Sequence, residues 1–285
     1  MALKQKDTVG SVIGRWFIRV ILMAWSLTIL FPLIWVLYTS FKNNAEFYAD
    51  VWALPKVLRF ENYAYAWNTA KFSEYFANSV FTVILTLFLT VIMTSTTAYI
   101  LAKYRYRWLK LVSKFYIIVM AIPGVLVLVP QYFMFLNMKL TNNLWALSLL
   151  YAVRSVPFAV FIMTGFMKSV NNSLLEAAEI DGASEFKKFF SIVLPCVKPA
   201  LFVTVLNNVL GTWNEYILAL TFLTDESKYT VPIGLAQLQN ESTYRVEYGG
   251  LFAGLVIAII PILIVYACFQ KQLQEGVKAQ GGVKG

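Results

Sequence analysis

Residues 176–195 read EAAEIDGASEFKKFFSIVLP, and this stretch decides how the chain is organised. It is polar and amphipathic, and it separates two long apolar runs of the kind that cross membranes. A membrane chain that interrupts itself with such a segment presents a surface to something outside the bilayer. We therefore expect a docking surface between two membrane-spanning parts of the chain.

Composition places the whole chain in the membrane. Of its 285 residues, 59% are hydrophobic, and the mean hydropathy is +0.64, whereas soluble domains are about 45–50% apolar. The net charge of +9 would suggest nucleic acid only if basic residues clustered on a soluble surface. They lie instead in short loops between apolar runs. The chain is therefore predicted to be an all-α, polytopic membrane protein that does not bind nucleic acid.

Six apolar runs are long enough to span a bilayer, which needs about 20 residues. They belong to a single transmembrane domain that covers residues 1–285, with no second domain. The runs are approximately 16–40, 76–102, 112–136, 144–167, 199–223 and 248–270.

Lysine and arginine counts give the orientation, because cytoplasmic loops carry the excess of positive residues. The N-terminus, the loop 103–114, the residues 168–198 around the docking stretch and the C-terminal tail hold 16 of the 24 basic residues. The opposite loops, 41–75, 137–143 and 224–247, hold 7, and Arg154 lies inside a span. Both termini and the docking stretch are therefore predicted to be cytoplasmic, which agrees with an even number of spans.

The residue inventory argues against an enzyme. The chain has no histidine, the commonest general base and metal ligand. It has no Gly-x-x-x-x-Gly-Lys-Ser/Thr loop for ATP, and neither cysteine has a histidine to activate it. We therefore expect no catalytic residues, no metal and no cofactor.

Local signals predict a helix, a tight bend and a second helix in the docking stretch. Ser173 and Glu176 fit a capping box, so a helix should begin at Leu174 and run to about Asp181. Gly182 then supplies the left-handed residue that ends it. From composition alone, a helix lying on the bilayer surface and a helix docked on a protein are about equally supported, although an acidic face suits the anionic leaflet poorly.

Two spans carry polar patterns. Thr82, Thr86, Thr90 and Thr94 recur every four residues in the second span, and such small stripes favour close helix packing over pore lining. In the fifth span, an ionisable residue usually faces a cavity or a partner. An interhelical hydrogen bond there is about as well supported as a functional role. The polar and aromatic residues of this span are Asn207, Asn208, Trp213, Asn214 and Glu215.

The docking stretch resembles the EAA loop of permease subunits in binding-protein-dependent ABC importers. The resemblance rests on Glu-Ala-Ala at 176–178, Asp-Gly-Ala at 181–183 and Leu-Pro at 194–195. Weaker matches look like the sugar-permease branch, and most like the smaller maltose-type permease subunit. These are Asn62-Tyr63, Trp67, Asn78-Ser79 and Trp213-Asn214-Glu215-Tyr216.

The resemblance implies an ATP-driven importer that moves a sugar, a di- or oligosaccharide, across a bacterial or archaeal cytoplasmic membrane by alternating access. The implied partners are a second related permease, two cytoplasmic ATP-binding subunits that hydrolyse ATP, an extracytoplasmic sugar-binding protein and membrane lipid. Residues 171–195 would form the coupling segment between spans four and five. Its implied ATPase contacts are Glu176, Ala177, Ala178, Asp181, Gly182 and Phe186.

Two further sites follow from the same resemblance. The fifth-span residues supply the amides, carboxylate and aromatic face that bind sugars, so they would line the translocation pathway. The loop 224–247 would reach into the binding protein, although most such loops are solvated connectors. Its candidate residues are Gln237, Gln239, Asn240 and Tyr244.

Two other functions are open from the residues alone. A self-contained secondary transporter or channel would need an inverted repeat or several charges inside the membrane, and few are present beyond Arg154 and Glu215. A non-transporting membrane docking subunit would use the same docking stretch. The partner bound to residues 174–190 would distinguish the second from an importer.

Overall fold

The computed structural model describes residues 9–245 and 247–281, with side chains described for 14–240 and 247–270. Within these residues all regular structure is helical, which confirms the predicted all-α class. The helices are α1 Val9–Thr39, α2 Asn44–Ala49, α3 Glu61–Ala64, α4 Phe72–Lys103, α5 Arg107–Ala121, α6 Leu128–Asn137, α7 Leu144–Ser169, α8 Asn172–Ile180, α9 Glu185–Lys188, α10 Leu194–Cys196, α11 Lys198–Trp213, α12 Ile217–Phe222, α13 Val231–Arg245 and α14 Tyr248–Gly281. Single π-helical turns follow α3 (Tyr65–Thr69) and α9 (Phe189–Val193), and a 3-10 turn covers Glu226–Lys228.

Four helices in the described part of the chain are long and apolar enough to cross a membrane: Gly14–Thr39, Phe72–Lys103, Leu144–Ser169 and Tyr248–Gln270. The helices Glu185–Cys196 and Lys198–Trp213 form a fifth candidate if this pair, bent by 78°, counts as one span. The structure thus supports four to five membrane-capable helices. The count of six spans stays a prediction.

The third and fifth apolar runs are not the continuous helices that their length predicts. The third is broken between α5 and α6. Pro123 cannot donate a backbone hydrogen bond there, and Gly124 has a low helix propensity. The fifth is broken between α11 and α12, at residues 214–216. The predicted loop 41–75 is also corrected, because it contains α2, α3 and the first residues of α4.

The chain divides into two compact units, residues 1–70 with 238–257, and residues 71–237 with 258–285. In the first unit, Lys42 is fully buried, and its Nζ donates to the carbonyls of Asp50 (3.1 Å) and Val51 (2.9 Å). Buried charges need such partners because desolvation is costly. Gly250 lets the Tyr65 ring contact the α14 backbone, since a Cβ there would lie 2.6 Å from the ring.

In the second unit, α4 packs along α7 through its threonine stripe. Thr82, Thr86, Thr90 and Thr94 are each at most 1% exposed. Thr86 Oγ1 donates to the Ser148 carbonyl at 3.2 Å, and the Asn208 amide donates to Thr90 Oγ1 at 3.2 Å. The prediction that this stripe packs helices is confirmed.

Enlarging a stripe residue should damage assembly. Thr90→Leu would add volume to a fully buried contact, so we expect about 1–3 kcal/mol of destabilisation from overpacking. Thr90→Ser, which keeps the hydroxyl that accepts from Asn208, should stay close to wild type. The measurement is the thermal unfolding midpoint of both variants in detergent. Equal midpoints would show that the helices separate easily at this position.

Candidate functional site

The first helix of the docking segment (residues 171–195) begins two residues earlier than predicted, at Asn172 instead of Leu174. This helix is α8, and the N-cap is Asn171, whose side chain accepts the Ser173 N–H at 3.0 Å. Ser173 was expected to be the cap, but it already lies inside the helix. Asparagine is as good an N-cap as serine, and Asn171 directly follows the end of the preceding span.

The first helix ends as predicted. Gly182 has φ +75°, the left-handed conformation that glycine adopts without strain. The N–H of Ala183 bonds to the carbonyl of Ala178 (2.8 Å), and that of Gly182 bonds to Glu179 (3.0 Å). This pair of bonds is the Schellman motif. The bend therefore follows from local chemistry at Asp181-Gly182.

The docking segment exposes a mixed acidic and apolar surface. Of the six residues predicted to contact an ATPase, only Ala178 is partly covered; Glu176, Ala177, Asp181, Gly182 and Phe186 are exposed. Ile180 is 87% exposed and Phe186 is 76% exposed, and the Phe186 ring stacks on Phe190 at 5.7 Å. Apolar side chains this exposed on a polar segment are typical of an interaction surface.

A buried lysine holds the two halves of the docking segment together. Lys188 is 5% exposed, and its Nζ bonds to Glu179 Oε2 (2.9 Å) in α8 and to Glu185 Oε1 (2.8 Å) in α9. Hydrogen bonds from Lys188, Tyr104 and Tyr99 hold the pKa of Glu185 below its ordinary value. Glu185 is therefore ionised at neutral pH and bridges Lys188 to the two tyrosines.

The end of α4 carries the other half of this network, which we call the clasp: Glu179, Glu185, Lys188, Tyr99 and Tyr104. Both tyrosine hydroxyls donate to Glu185 Oε2, from Tyr99 at 2.9 Å and from Tyr104 at 2.8 Å. The spacing of Glu185 and Lys188 is a visible helical pair. The tyrosines lie more than 80 residues earlier in the sequence, so no local pattern reveals them.

A second contact joins α4 to the start of the docking segment. Lys103 Nζ donates to the Val170 carbonyl (2.7 Å) and to Asn172 Oδ1 (3.1 Å). An apolar cluster from α4, α7, the docking segment and the start of α11 adjoins these contacts. Its buried members are Ala98, Tyr99, Met163, Met167, Val170, Phe189, Val193, Val197 and Ala200.

The fifth-span residues separate into a buried and an exposed set. Asn208 is 4% exposed and bonds to Thr90, and Trp213 is 5% exposed and donates its Nε1–H to the Ala258 carbonyl at 3.1 Å. Asn207 and Asn214 are exposed, and together with Gly211 they share one face of the helix. The structure therefore does not bring all five residues to one surface.

Glu215 caps a helix at the break in the fifth run. Its carboxylate accepts the N–H groups of Leu218 (2.9 Å) and Ala219 (3.0 Å) at the start of α12. It also accepts the hydroxyl of Tyr151 at 2.7 Å. A carboxylate placed there satisfies amides that the helix itself leaves unpaired. Its role in holding α12 against α7 was not apparent from its sequence position.

Arg154 lies at the break in the third run. Its Nη1 donates to Gln131 Oε1 at 3.2 Å, and a Cβ on Gly124 would overlap the guanidinium. The break follows the C-terminus of α5, where backbone carbonyls favour a cation. Arg154 therefore packs against Gly124 in the break and bonds to Gln131 of α6.

The prediction that residues 224–247 form an outer loop is wrong, because residues 231–245 form the helix α13. Gln237 accepts the Tyr75 hydroxyl at 3.2 Å, while Gln239 and Asn240 are exposed on the same helix. The side chain of Tyr244 lies outside the described residues. Polar composition misled the prediction, since buried Val231, Ile233 and Leu238 anchor the helix.

A glycine–serine replacement of residues 237–244 is therefore expected to destabilise the protein. Glycine costs a helix about 1 kcal/mol per residue relative to alanine, so the change should unfold much of α13. An alanine run of equal length should keep the helix. Limited proteolysis between residues 231 and 245 measures the difference, and equal resistance of the two variants would contradict it.

The chain is similar to known proteins over 90% or more of its length. Residues 94–279 match the family described as "Binding-protein-dependent transport system inner membrane component". The permease protein NgcG of a diacetylchitobiose uptake system from Streptomyces coelicolor is 34% identical over 90% of this chain and 85% of its own length. AraQ of Bacillus subtilis, an arabinooligosaccharides transport system permease protein, is 32% identical over 92% of this chain and 93% of its own.

A solved structure has the same fold. The crystal structure of a bacterial ABC transporter involved in the import of the acidic polysaccharide alginate matches with a TM-score of 0.82 at 22% identity. The match covers 94% of this chain and 99% of that one.

Proposed function

The chain belongs to the family of binding-protein-dependent transport system inner membrane components, and we propose that it is the permease subunit of an ATP-driven importer for a di- or oligosaccharide. Its relatives are transport permeases and not enzymes. The sugar assignment draws on the names of those relatives. The observation that carries the docking part of the proposal is the exposed surface of the docking segment, held in place by the clasp.

The proposed topology has six spans, with both termini and the docking segment in the cytoplasm. Two of the spans would be the broken pairs α5–α6 and α11–α12. Broken helices are tolerated at membrane depth where they are buried in protein or line a water-filled cavity, and transporters place substrate beside such breaks. The basic residues of the loops support this orientation.

The docking segment would seat α8 in a cytoplasmic ATP-binding subunit, with one such subunit for this chain and one for a second, related permease. Ala177 leaves room for close approach, and the exposed Ile180 and Phe186 supply apolar contact area. Glu176 and Asp181 at the rim would set specificity more than affinity.

Of the five fifth-span residues, we propose that Asn207 and Asn214 line the translocation pathway, because they are exposed on one face of α11 and its C-cap. For Asn208, Trp213 and Glu215 we propose packing and capping roles, because these side chains are buried or partly buried and each makes at least one hydrogen bond within the chain. Gln237, Gln239 and Asn240 on α13 would face an extracytoplasmic sugar-binding protein. That protein would deliver the substrate.

The test is reconstitution of the complete transporter in proteoliposomes, with the chain, its second permease, the ATP-binding subunits and the binding protein. We expect uptake of radiolabelled oligosaccharide that requires both ATP and the binding protein. Uptake driven by a proton or sodium gradient without ATP would instead identify a secondary transporter. ATPase binding without any uptake would identify a docking subunit.

A further inference from the structure

One helix, α4, makes polar contacts at both of its ends with the segments proposed to face partner proteins. It has 32 residues, which makes it about 48 Å long at 1.5 Å per residue. A helix of this length extends beyond both sides of a hydrocarbon core about 30 Å thick. In the proposed topology, contacts at its two ends therefore lie on opposite sides of the membrane.

At the outer end, the first side chains of α4 bind residues 226–237. The Tyr75 hydroxyl lies 3.0 Å from Glu226 Oε1 and 3.2 Å from Gln237 Oε1. Lys71, the residue before α4, bonds to Glu226 Oε2 at 3.0 Å, and this hydrogen bond holds the pKa of Glu226 below its ordinary value. Gly234 of α13 allows this approach, since a Cβ there would overlap the Tyr75 ring.

The next turn of α4 binds the backbone that leads into α13. The Asn78 amide donates to the carbonyls of Ser227 (2.9 Å) and Tyr229 (3.0 Å). The Ser79 hydroxyl accepts the N–H of Val231 (2.9 Å), the first residue of α13. These bonds fix the start of α13 to the helix.

At the inner end, the clasp and Lys103 fix the docking segment to α4. They hold the segment on both sides of its first helix, through Asn172 at the start of α8 and through Glu185 after it. The direct covalent route into α11 is bent. The helix axis turns by 78° at the junction with α11, so α11 does not continue the direction of the docking segment.

Between its ends, α4 is built to stay straight. Of the four membrane-capable helices in the described residues, α4 alone contains neither proline nor glycine, the residues at which helices usually kink. Its buried threonine stripe also packs closely against α7. Displacement of one end should therefore move the other.

We propose that α4 is a rigid helix that transmits motion between the docking segment and residues 226–237. Lys188, Glu185, Tyr99 and Tyr104 are positioning residues at its inner end, and Asn78 and Tyr75 are positioning residues at its outer end. The inference rests on the proposed function, because it assigns partner proteins to both sides. To that function the inference adds α4 as the helix that joins the two partner-facing segments.

The experiment compares Lys188→Met, Asn78→Ala and the double variant in the reconstituted transporter. Lys110→Met and Asn137→Ala are the matched controls, because both residues are exposed and lie outside residues 171–195 and 226–237. The readout is the factor by which sugar-loaded binding protein stimulates ATP hydrolysis. Each single variant should lower this factor roughly fivefold or more, the low end of what a charge-assisted or paired hydrogen bond is worth.

The double variant tests transmission itself. Mutations at sites more than about 10 Å apart normally act independently, and Asn78 and Tyr99 are about 32 Å apart along the helix. If α4 connects the two ends, the stimulation factor of the double variant should be no lower than that of the more impaired single variant. The inference would be overturned if the fold-losses of the two single variants multiply in the double variant. It would also be overturned if the single variants match the controls. A wild-type complex without binding-protein stimulation would instead refute the proposed function.

Discussion

Gly182→Val is expected to lower sugar uptake roughly 5- to 30-fold, while the assembled permease still captures the loaded binding protein. Gly182 has φ +75° and ends the docking helix. No atom lies within 4 Å of a Cβ built at this position, so the effect would be purely conformational. A side chain in the left-handed region costs about 1–2 kcal/mol, and relief of that strain would rotate α8 away from its ATPase contact.

A control separates backbone strain from the loss of a small residue. Gly182→Asn should transport nearly normally, because asparagine visits the left-handed region routinely. The measurements are ATP-dependent uptake and retention of the ATP-binding subunits during purification. Normal uptake by a well-expressed Gly182→Val variant would show that the bend does not position the docking helix.

Glu215→Leu is expected to cause the largest loss of stability among the spans. It would remove the acceptor for the buried Tyr151 hydroxyl and for the N–H groups of Leu218 and Ala219. Each buried donor left unpaired costs about 1–3 kcal/mol, so a total of several kcal/mol is expected. The thermal midpoint of the purified protein in detergent should fall sharply, with uptake lost alongside.

Two further variants identify the cause. Glu215→Gln keeps one of the two carboxylate oxygens, so its stability should lie between wild type and Glu215→Leu. Tyr151→Phe removes one donor, and in combination with Glu215→Leu it should cost less than the sum of the two single changes. Strict additivity would mean that the hydrogen bond between Tyr151 and Glu215 contributes nothing.

The sequence by itself determined the features that depend on local chemistry and on composition. The apolar runs gave the all-α membrane class, because helices satisfy their own backbone groups in lipid. Asp181-Gly182 gave the bend, because glycine adopts φ +75° without strain. The four-residue period of Thr82 to Thr94 gave the packed face of α4, because that period repeats on one side of a helix.

Tertiary structure decided whatever depends on contacts between distant residues. Polar composition at 224–247 predicted a loop, yet burial of Val231 and Ile233 makes α13 a helix. The fifth-span amides look equivalent in sequence, yet Asn208 is buried against α4 and Asn214 is exposed. A side chain's hydrogen-bond partner is chosen by three-dimensional proximity, so the Tyr99–Glu185 contact, 86 residues apart, exists only in the folded chain.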